Sequence, residues 1–552
     1  MRHAAGDSVG DPAPAQVIPP SRADPFVAAA STVIGGPVGA RARLGDNRWW
    51  LPVRVLVLFA VLAGTLGWMN KSLCVTHGYS HEYQYTRVCY TDVYALWWAE
   101  GLDKGQIPIL DNATPNPDAQ GVVHHKYVEY PVVIGGVMAA AEGLVHAFVS
   151  DQPTAKQAAV IAASHKSPDD EKLKLAAASA TADYQGRQAR AFFHITAAFL
   201  LICMVLVVVL TGLTAGRRRI WDAALVGLAP ALVLNGMVNW DLVAVAFTAG
   251  AMLAWSRRAP AVAGMLLGFG VATKLYPLLL LVPLFALCLR AGRLRPYFRM
   301  VGAAVVAWAV VDVPVWIANP AGFGEFYAFS RSRGTEYNSL FYAWQYAVFG
   351  ANHPWDPGKP SPTWLNFWSA ALLALALLAV VALILVAPRR PRVGQVAFLT
   401  VLAFLLTNKV YSPQYVLWLL PLVALARPRW RSWLLWQASE VLLLLLLYFH
   451  LIFVDTSGNK GIGYPWFFFF GDLPRDVMLL VIAGLVVRDV LDPGGDVVRK
   501  DGDDDPAGGL LDDAPDRLVL LGRGRGGRAL GWDPPAEIRS GAVDGGWRPV
   551  GN

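Results

Sequence analysis

"PVVIGGVMAAAEGLVHAFV", residues 131–149, decides how this chain is threaded. The run is apolar and long enough to cross a bilayer, yet it carries Glu142 and His146. With the basic "RARLGDNR" before the first apolar run held inside, the loop 70–130 lies outside. If 131–149 then crosses fully, five basic clusters fall outside: "GRRR" (216–219), "RR" (257–258), "RAGRLRPYFR" (290–299), "PRRPR" (388–392) and "RPRWR" (427–431). If it instead enters and returns, or lies along the outer surface, all five become cytoplasmic. Basic loops prefer the cytoplasmic side, so the second threading is expected, with about 12 crossings and both termini inside.

Composition agrees with a membrane setting. Of 552 residues 55% are hydrophobic and 16% charged, with 21 Trp, and the mean hydropathy is positive. The net charge of +7 is gathered in short clusters between apolar runs, which points to anionic lipid headgroups rather than nucleic acid. Spans are expected at about 51–69, 191–214, 221–236, 241–256, 261–273, 275–290, 300–317, 365–387, 395–408, 413–426, 433–453 and 476–491, which makes the fold class all-α, a polytopic helical bundle. Residues 1–48, rich in Pro, Ala and Gly, read as a disordered cytoplasmic tail, and 492–552, with "DGDDDP" and "GRGRGGR", as a second one. Between them 49–491 forms the transmembrane domain, with a first outer loop 70–130, an outer insertion 150–190 and an outer loop 318–364. Cys203 and Cys288 sit in apolar runs. Cys74 and Cys89 share one polar loop, where a disulfide is open to them if the loop is extracytoplasmic.

This threading sorts the polar sequence by face. Inner connections are short and basic, whereas the outer ones hold "YTD" at 90–92, "NGMVNWD", "ATKLYP", "SRSRGTEYN", "TNKVYSPQY" and "DTSGNKGIGYPW". Asp92, beside Tyr90, Trp97 and Trp98, is either the cap of the short helix "VYALWWAEGL" or a partly desolvated carboxylate among aromatics that could stack on a sugar. Asn239 and Asp241 frame an interfacial Trp and can cap the next span, or Asp241 can pair with Asp92 as a second outer carboxylate. Lys274 and Lys409 are either snorkelling helix-end lysines or point charges for a lipid phosphate. Arg331 and Arg333 run against the charge bias of the other loops, which favours an anion ligand over plain solvation. Glu129 ends the first outer loop and reads first as a solvated acid. No zinc spacing, phosphate-binding loop, dinucleotide fingerprint or nucleophile elbow is present.

Taken in order and on one face, "YTD", "EYP", "NWD", "TKLYP" and "NKVYSPQY" resemble glycosyltransferase family 87 of the GT-C superfamily over roughly residues 50–490. That family of bacterial integral-membrane enzymes includes polyprenol-phosphate-mannose-dependent α-1,2-mannosyltransferases. The resemblance implies inverting transfer of a sugar, mannose first, from a polyprenyl-phosphate donor to a glycolipid or polysaccharide of the cell envelope at the outer face of the plasma membrane. It implies no nucleotide sugar, no metal and no other cofactor. The family's essential acid lies in the first outer loop and matches Asp92; basic residues at outer helix ends, here Lys274 and Lys409 with Arg331 and Arg333, are implied in holding the donor phosphate. Asp92 is not followed by a second acid, which speaks against a two-carboxylate metal site.

Two other classes compete with this reading. A transporter or lipid flippase would place charges near the bilayer midplane and show internal repeats, and neither feature is found. A non-catalytic membrane protein of envelope assembly makes no demand on Asp92, so replacing that residue separates it from an enzyme.

Overall fold

Fifteen or more consecutive apolar residues favour a helix wherever water is scarce, because every backbone N–H and C=O is then satisfied within the segment. The computed structural model follows that rule. It describes residues 24–34, 51–77, 81–111, 113–117, 123–150, 152–167, 169–350, 360–500, 502–512 and 514–520. In chain order the helices that matter here are α1 (Pro25–Ile34), α2 (Pro52–His77), α3 (Asp92–Ala99), α4 (Val132–Phe148), α5 (Glu171–Ala215), α6 (Asp241–Ser256), α7 (Pro260–Thr273), α8 (Leu294–Ala318), α9 (Pro320–Ser332), α10 (Pro362–Val386), α11 (Val393–Thr407), α12 (Val416–Ala426), α13 (Trp430–Asp455) and α14 (Leu473–Leu491). A two-stranded ribbon, Ala113–Pro117 with Val123–Lys126, decorates the first loop without changing the all-α class.

Among the described residues five helices, α2, α5, α8, α10 and α13, are long and apolar enough to cross a membrane by length and composition. Six shorter apolar segments accompany them, including α4, α6, α7 and α11. The chain is therefore an all-α membrane protein. The segment expected to span at 221–236 is not one helix. It breaks into Ile220–Ala223, Ala224–Gly227 and Pro230–Asn235, because Ala229 is extended ahead of Pro230, and Pro cannot accept a preceding helical turn without a clash.

Two packing features place the functional end of the bundle. In "GMLLG", Cβ atoms at Gly264 and Gly268 would fall 2.0 Å from the carbonyl O of Met300 and 2.3 Å from that of Ala304, so only glycine lets α7 press its backbone against α8. That contact fixes where α7 ends, at Lys274. The second feature is the length of α5, 45 residues or roughly 68 Å, which carries the 171–189 stretch straight out of the apolar layer on the side of α3.

The opposite end corrects the expectation for both tails. Residues 24–34, inside the 1–48 tail, form α1, and Asp24 accepts hydrogen bonds from Phe26 N and Trp430 N, both at 2.9 Å. The described residues 492–500, 502–512 and 514–520 pack onto the bundle. Asp496 binds Arg392 at 2.7 Å, Asp504 binds Arg389 at 3.1 Å, and Asp516 binds Arg290 at 2.6 Å and Arg390 at 3.0 Å. Acids that would repel one another in an isolated tail are neutralised by the arginine clusters between helices, and the chain is held down. Residues 1–23 and 521–552 lie outside the described residues.

Candidate active site

Asp92 is presented by a short, over-determined piece of backbone. Cys74 near the end of α2 is disulfide-bonded to Cys89. Val88, just before it, sits at φ +55°, a strained conformation for a β-branched residue. Its carbonyl accepts from the buried Lys71 Nζ at 3.2 Å, and the neighbouring Arg87 carbonyl accepts from Asn70 at 3.2 Å. Thr91, not Asp92, is the N-cap of α3: its Oγ1 accepts from Val93 N at 3.3 Å and donates to Met237 O at 2.8 Å. With the cap role filled by Thr91, the Asp92 carboxylate turns into a cavity of about 640 Å³.

Both carboxylate oxygens have a partner. Tyr90 donates its hydroxyl to Oδ1 at 2.5 Å, and Asn239 Nδ2 donates to Oδ2 at 3.0 Å. The Asn239 amide is itself oriented, since its Oδ1 accepts from Trp240 N at 2.6 Å and its Nδ2 also donates to the Tyr130 hydroxyl at 2.7 Å. Burial pushes the Asp92 carboxyl above its ordinary range; the two hydrogen bonds and Lys274 pull it back, while Asp241 pushes with burial. The charge of Asp92 in turn drives the Tyr90 hydroxyl well above the usual tyrosine range.

The facing wall is cationic. Lys274, at the C-cap of α7, lies over the Tyr130 ring at 5.1 Å and 3.7 Å from Asp241. Asp241 is fully buried, accepts from Trp418 Nε1 at 2.8 Å, and stands behind Lys274 rather than on the cavity surface. Trp418 is sandwiched by Tyr276 at 4.3 Å and Tyr415 at 4.0 Å. Lys409 donates to Arg333 O at 2.7 Å, and burial with the nearby Arg333 charge pushes its ammonium down to about 8. Arg333 stacks on Phe329 at 5.2 Å and reaches Glu336 at 3.9 Å. The single Ser412 hydroxyl donates to the Glu336 carboxylate, its Oγ lying 2.8 Å from both oxygens, and burial raises that carboxyl above the usual range.

Of the residues singled out in the sequence, the cavity brings together Asp92, Glu129, Asn239, Lys274, Arg333 and Lys409, with Asp241 one layer behind. Two do not join them. Trp97 is buried against His146 and Phe192 in the core, because Thr91 sets α3 with that face inward. Arg331 points its side chain outward at the end of α9 and contributes only its carbonyl, which accepts from Asn366 Nδ2 at 2.9 Å. Glu336 and the tyrosines at 85, 337 and 448 line the cavity without having been singled out. For Glu336 a signal was present, an acid three residues after Arg333 in an outer loop. Among the described residues no three His, Cys, Asp or Glu side chains cluster as a metal site.

The cavity thus sets a carboxylate and several cations among aromatic side chains on an all-α membrane scaffold. Residues 185–408 match the model of glycosyltransferase family 87, so over that segment the chain is similar to this family, in keeping with the resemblance read from the sequence. The matched segment includes Asn239, Asp241, Lys274 and Arg333 and stops one residue short of Lys409; Asp92 lies before it. No curated protein matches the chain.

Proposed function

We propose that the protein transfers a sugar, mannose first, from a polyprenyl-phosphate donor to a glycolipid or polysaccharide acceptor of the cell envelope, with inversion and with Asp92 as general base. The observation that carries this reading is the division of one cavity into an acidic wall, Asp92 with Tyr90 and Asn239, and a cationic wall, Lys274, Arg333 and Lys409. In the proposed step the acceptor oxygen attacks the anomeric carbon as Asp92 takes its proton. The bond from that carbon to the polyprenyl phosphate breaks, and the phosphate leaves with the electron pair, its charge met by the cations in a water-poor site. A single displacement turns a β-linked donor into an α-linked product.

The GT-C threading belongs to the same proposal: about 12 crossings in the plasma membrane, α4 re-entrant or lying on the surface, both termini cytoplasmic and the cavity on the extracytoplasmic face. All the arginine clusters bound by the C-terminal segment lie at the end of the bundle away from Lys274, which supports that orientation. The lipid-linked sugar supplies both the reactive carbon and the leaving group, so the reading calls on neither nucleotide nor metal.

Membranes carrying the wild type or Asp92→Asn, given radiolabelled polyprenyl-phosphate mannose, test the reading. Transfer of label into lipid or polymer is expected to fall by roughly 100-fold or more in the variant, the usual range for a lost general base. Equal transfer by both would remove Asp92 from the chemistry.

A further inference from the structure

Lys71 stands on α2 more than one turn before the helix ends at His77, and its side chain is fully buried. A lysine near the end of a span ordinarily snorkels to the surface, or meets the helix dipole within the last turn. Lys71 does neither. It turns inward, and its Nζ donates to the carbonyl of Val88 at 3.2 Å, in the strained turn that leads to Asp92.

The carbonyl alone does not account for the charge. Next to it the Arg87 carbonyl takes its hydrogen bond from the neutral Asn70 amide, also at 3.2 Å, and the Cys74–Cys89 bond ties the same two segments. A neutral donor would hold this turn as well, whereas a buried ammonium needs an opposite charge to offset its lost hydration. Among the described residues no carboxylate forms an ion pair with Lys71, and the acid whose charge reaches it is Asp92.

The surroundings of Asp92 leave room for such a partner. Lys274 is shared with Asp241, 3.7 Å away, and on the facing wall Arg333 reaches Glu336. Tyr90, Asn239 and Tyr130 form one hydrogen-bonded group with the Asp92 carboxylate, and Tyr448 of α13 lines the same cavity, but none of them brings a positive charge. Asp241 and Glu336 add charge of the same sign. His194, on α5 against α2, accepts from Trp68 Nε1 at 3.0 Å, so its ring is neutral and supplies none.

We infer that Lys71 is a positioning residue for Asp92: its buried ammonium is the counter-charge behind the carboxylate, and its hydrogen bond to Val88 holds the turn that aims the carboxylate into the cavity. The inference rests on Asp92 being the base of the proposed step, since a base must be ionised before the acceptor arrives.

An infrared pH titration of the full-length protein in detergent tests it without recourse to transfer. The carboxyl band present in wild type and missing from Asp92→Asn reports Asp92. Lys71→Gln keeps a donor for the Val88 carbonyl and removes the charge; Lys71→Met removes both. Loss of a nearby cation makes the anion harder to form, so in both variants the Asp92 midpoint is expected about 1 pH unit higher than in wild type. Lys71→Arg, which keeps the charge, should hold the wild-type midpoint, and so should Asn70→Ala, which loosens the same turn without touching a charge. An unmoved midpoint in Lys71→Gln and Lys71→Met, or an equal rise in Asn70→Ala, would overturn the inference. The acid limb of kcat/KM for transfer should rise with the midpoint. A midpoint that moves while the limb stays would uphold the role of Lys71 and remove Asp92 as the base.

Discussion

Asn239 holds Asp92 from the same wall of the cavity: its Nδ2 donates to Asp92 Oδ2 at 3.0 Å while its own Oδ1 is fixed by Trp240 N. A hydrogen bond to a carboxylate favours the charged form, so this contact works against the burial that raises the Asp92 carboxyl. Asn239 is thus a positioning residue, and its removal has two separable consequences. In Asn239→Leu the acid limb of the kcat/KM profile is expected to move to higher pH, since the base now holds its proton longer. The plateau rate should fall by roughly 10–100-fold, the worth of a hydrogen bond to a charged group. A fall in rate with an unmoved acid limb would assign Asn239 a role other than orienting this base.

The alkaline limb should belong to Lys409. Its ammonium is pushed down to about 8, and a lysine that grips a phosphate must be protonated. Donor capture is therefore complete below that pH and is lost above it. The kcat/KM profile, which reports the free enzyme, should fall near pH 8, whereas kcat should hold to higher pH because the bound phosphate stabilises the ammonium. Lys409→Arg, always charged, should remove the limb. An unchanged profile in that variant would exclude Lys409 from the phosphate site.

Asp241 and Lys274 make a buried pair in which the acid has no other role on the cavity surface. Removing one partner strands the other charge at a cost of about 3–5 kcal/mol. Asp241→Asn should accordingly lower the melting temperature more than Asp92→Asn does, and raise the donor KM by loosening Lys274. The double change with Lys274→Met should recover stability but not activity. Scanning fluorimetry beside donor titrations reads both.

The Cys74–Cys89 bond closes a 15-residue separation that carries the strained Val88 turn straight into Tyr90 and Asp92. Closing a loop of that size is worth about 3 kcal/mol in the chain-entropy account. Alkylation of the denatured protein should modify Cys203 and Cys288 alone without reductant and all four cysteines with it. Cys74→Ser should lower both the melting temperature and transfer activity; four free thiols without reductant would show that the bridge does not form in the cell.

What could be read from sequence follows the range of the interaction involved. Apolar runs foretell helices because the constraint is local, and the position of Lys274 and Lys409 at helix ends follows from the same runs. The break at Ala229 and Pro230 was hidden by hydrophobicity that a window averages. Trp97 was misplaced because a short helix shows one face to a cavity and the other to the core, and only the Thr91 contacts with Met237 and Val238 fix which is which. The acidic stretch at 496–516 looked unfoldable in isolation, since its partners, Arg290 and Arg389 to Arg392, are more than a hundred residues away in sequence. Glu336 escaped for a similar reason: its worth depends on Ser412 and Arg333 arriving beside it.

The side of the membrane on which the cavity opens can be read with an impermeant thiol reagent on intact cells. Ala159 sits on the exposed helix Ala155–Lys166, which packs on the protruding half of α5, and α5 places Gly186 beside Tyr94 of α3. Lys460, paired with Glu82 at 2.7 Å, lies at the same end through the segment that leads to Asp92. Arg217 lies at the other end, close to the C-terminal segment. The buried Cys203 and Cys288 and the bonded Cys74 and Cys89 should leave the wild type unlabelled. Labelling of Ala159→Cys and Lys460→Cys, with protection of Arg217→Cys, is the expected pattern and opens the cavity to the outside. The reverse pattern would turn the molecule over and put Asp92 in the cytoplasm. Labelling of Lys460→Cys with protection of Ala159→Cys would mean that α4 crosses the membrane after all.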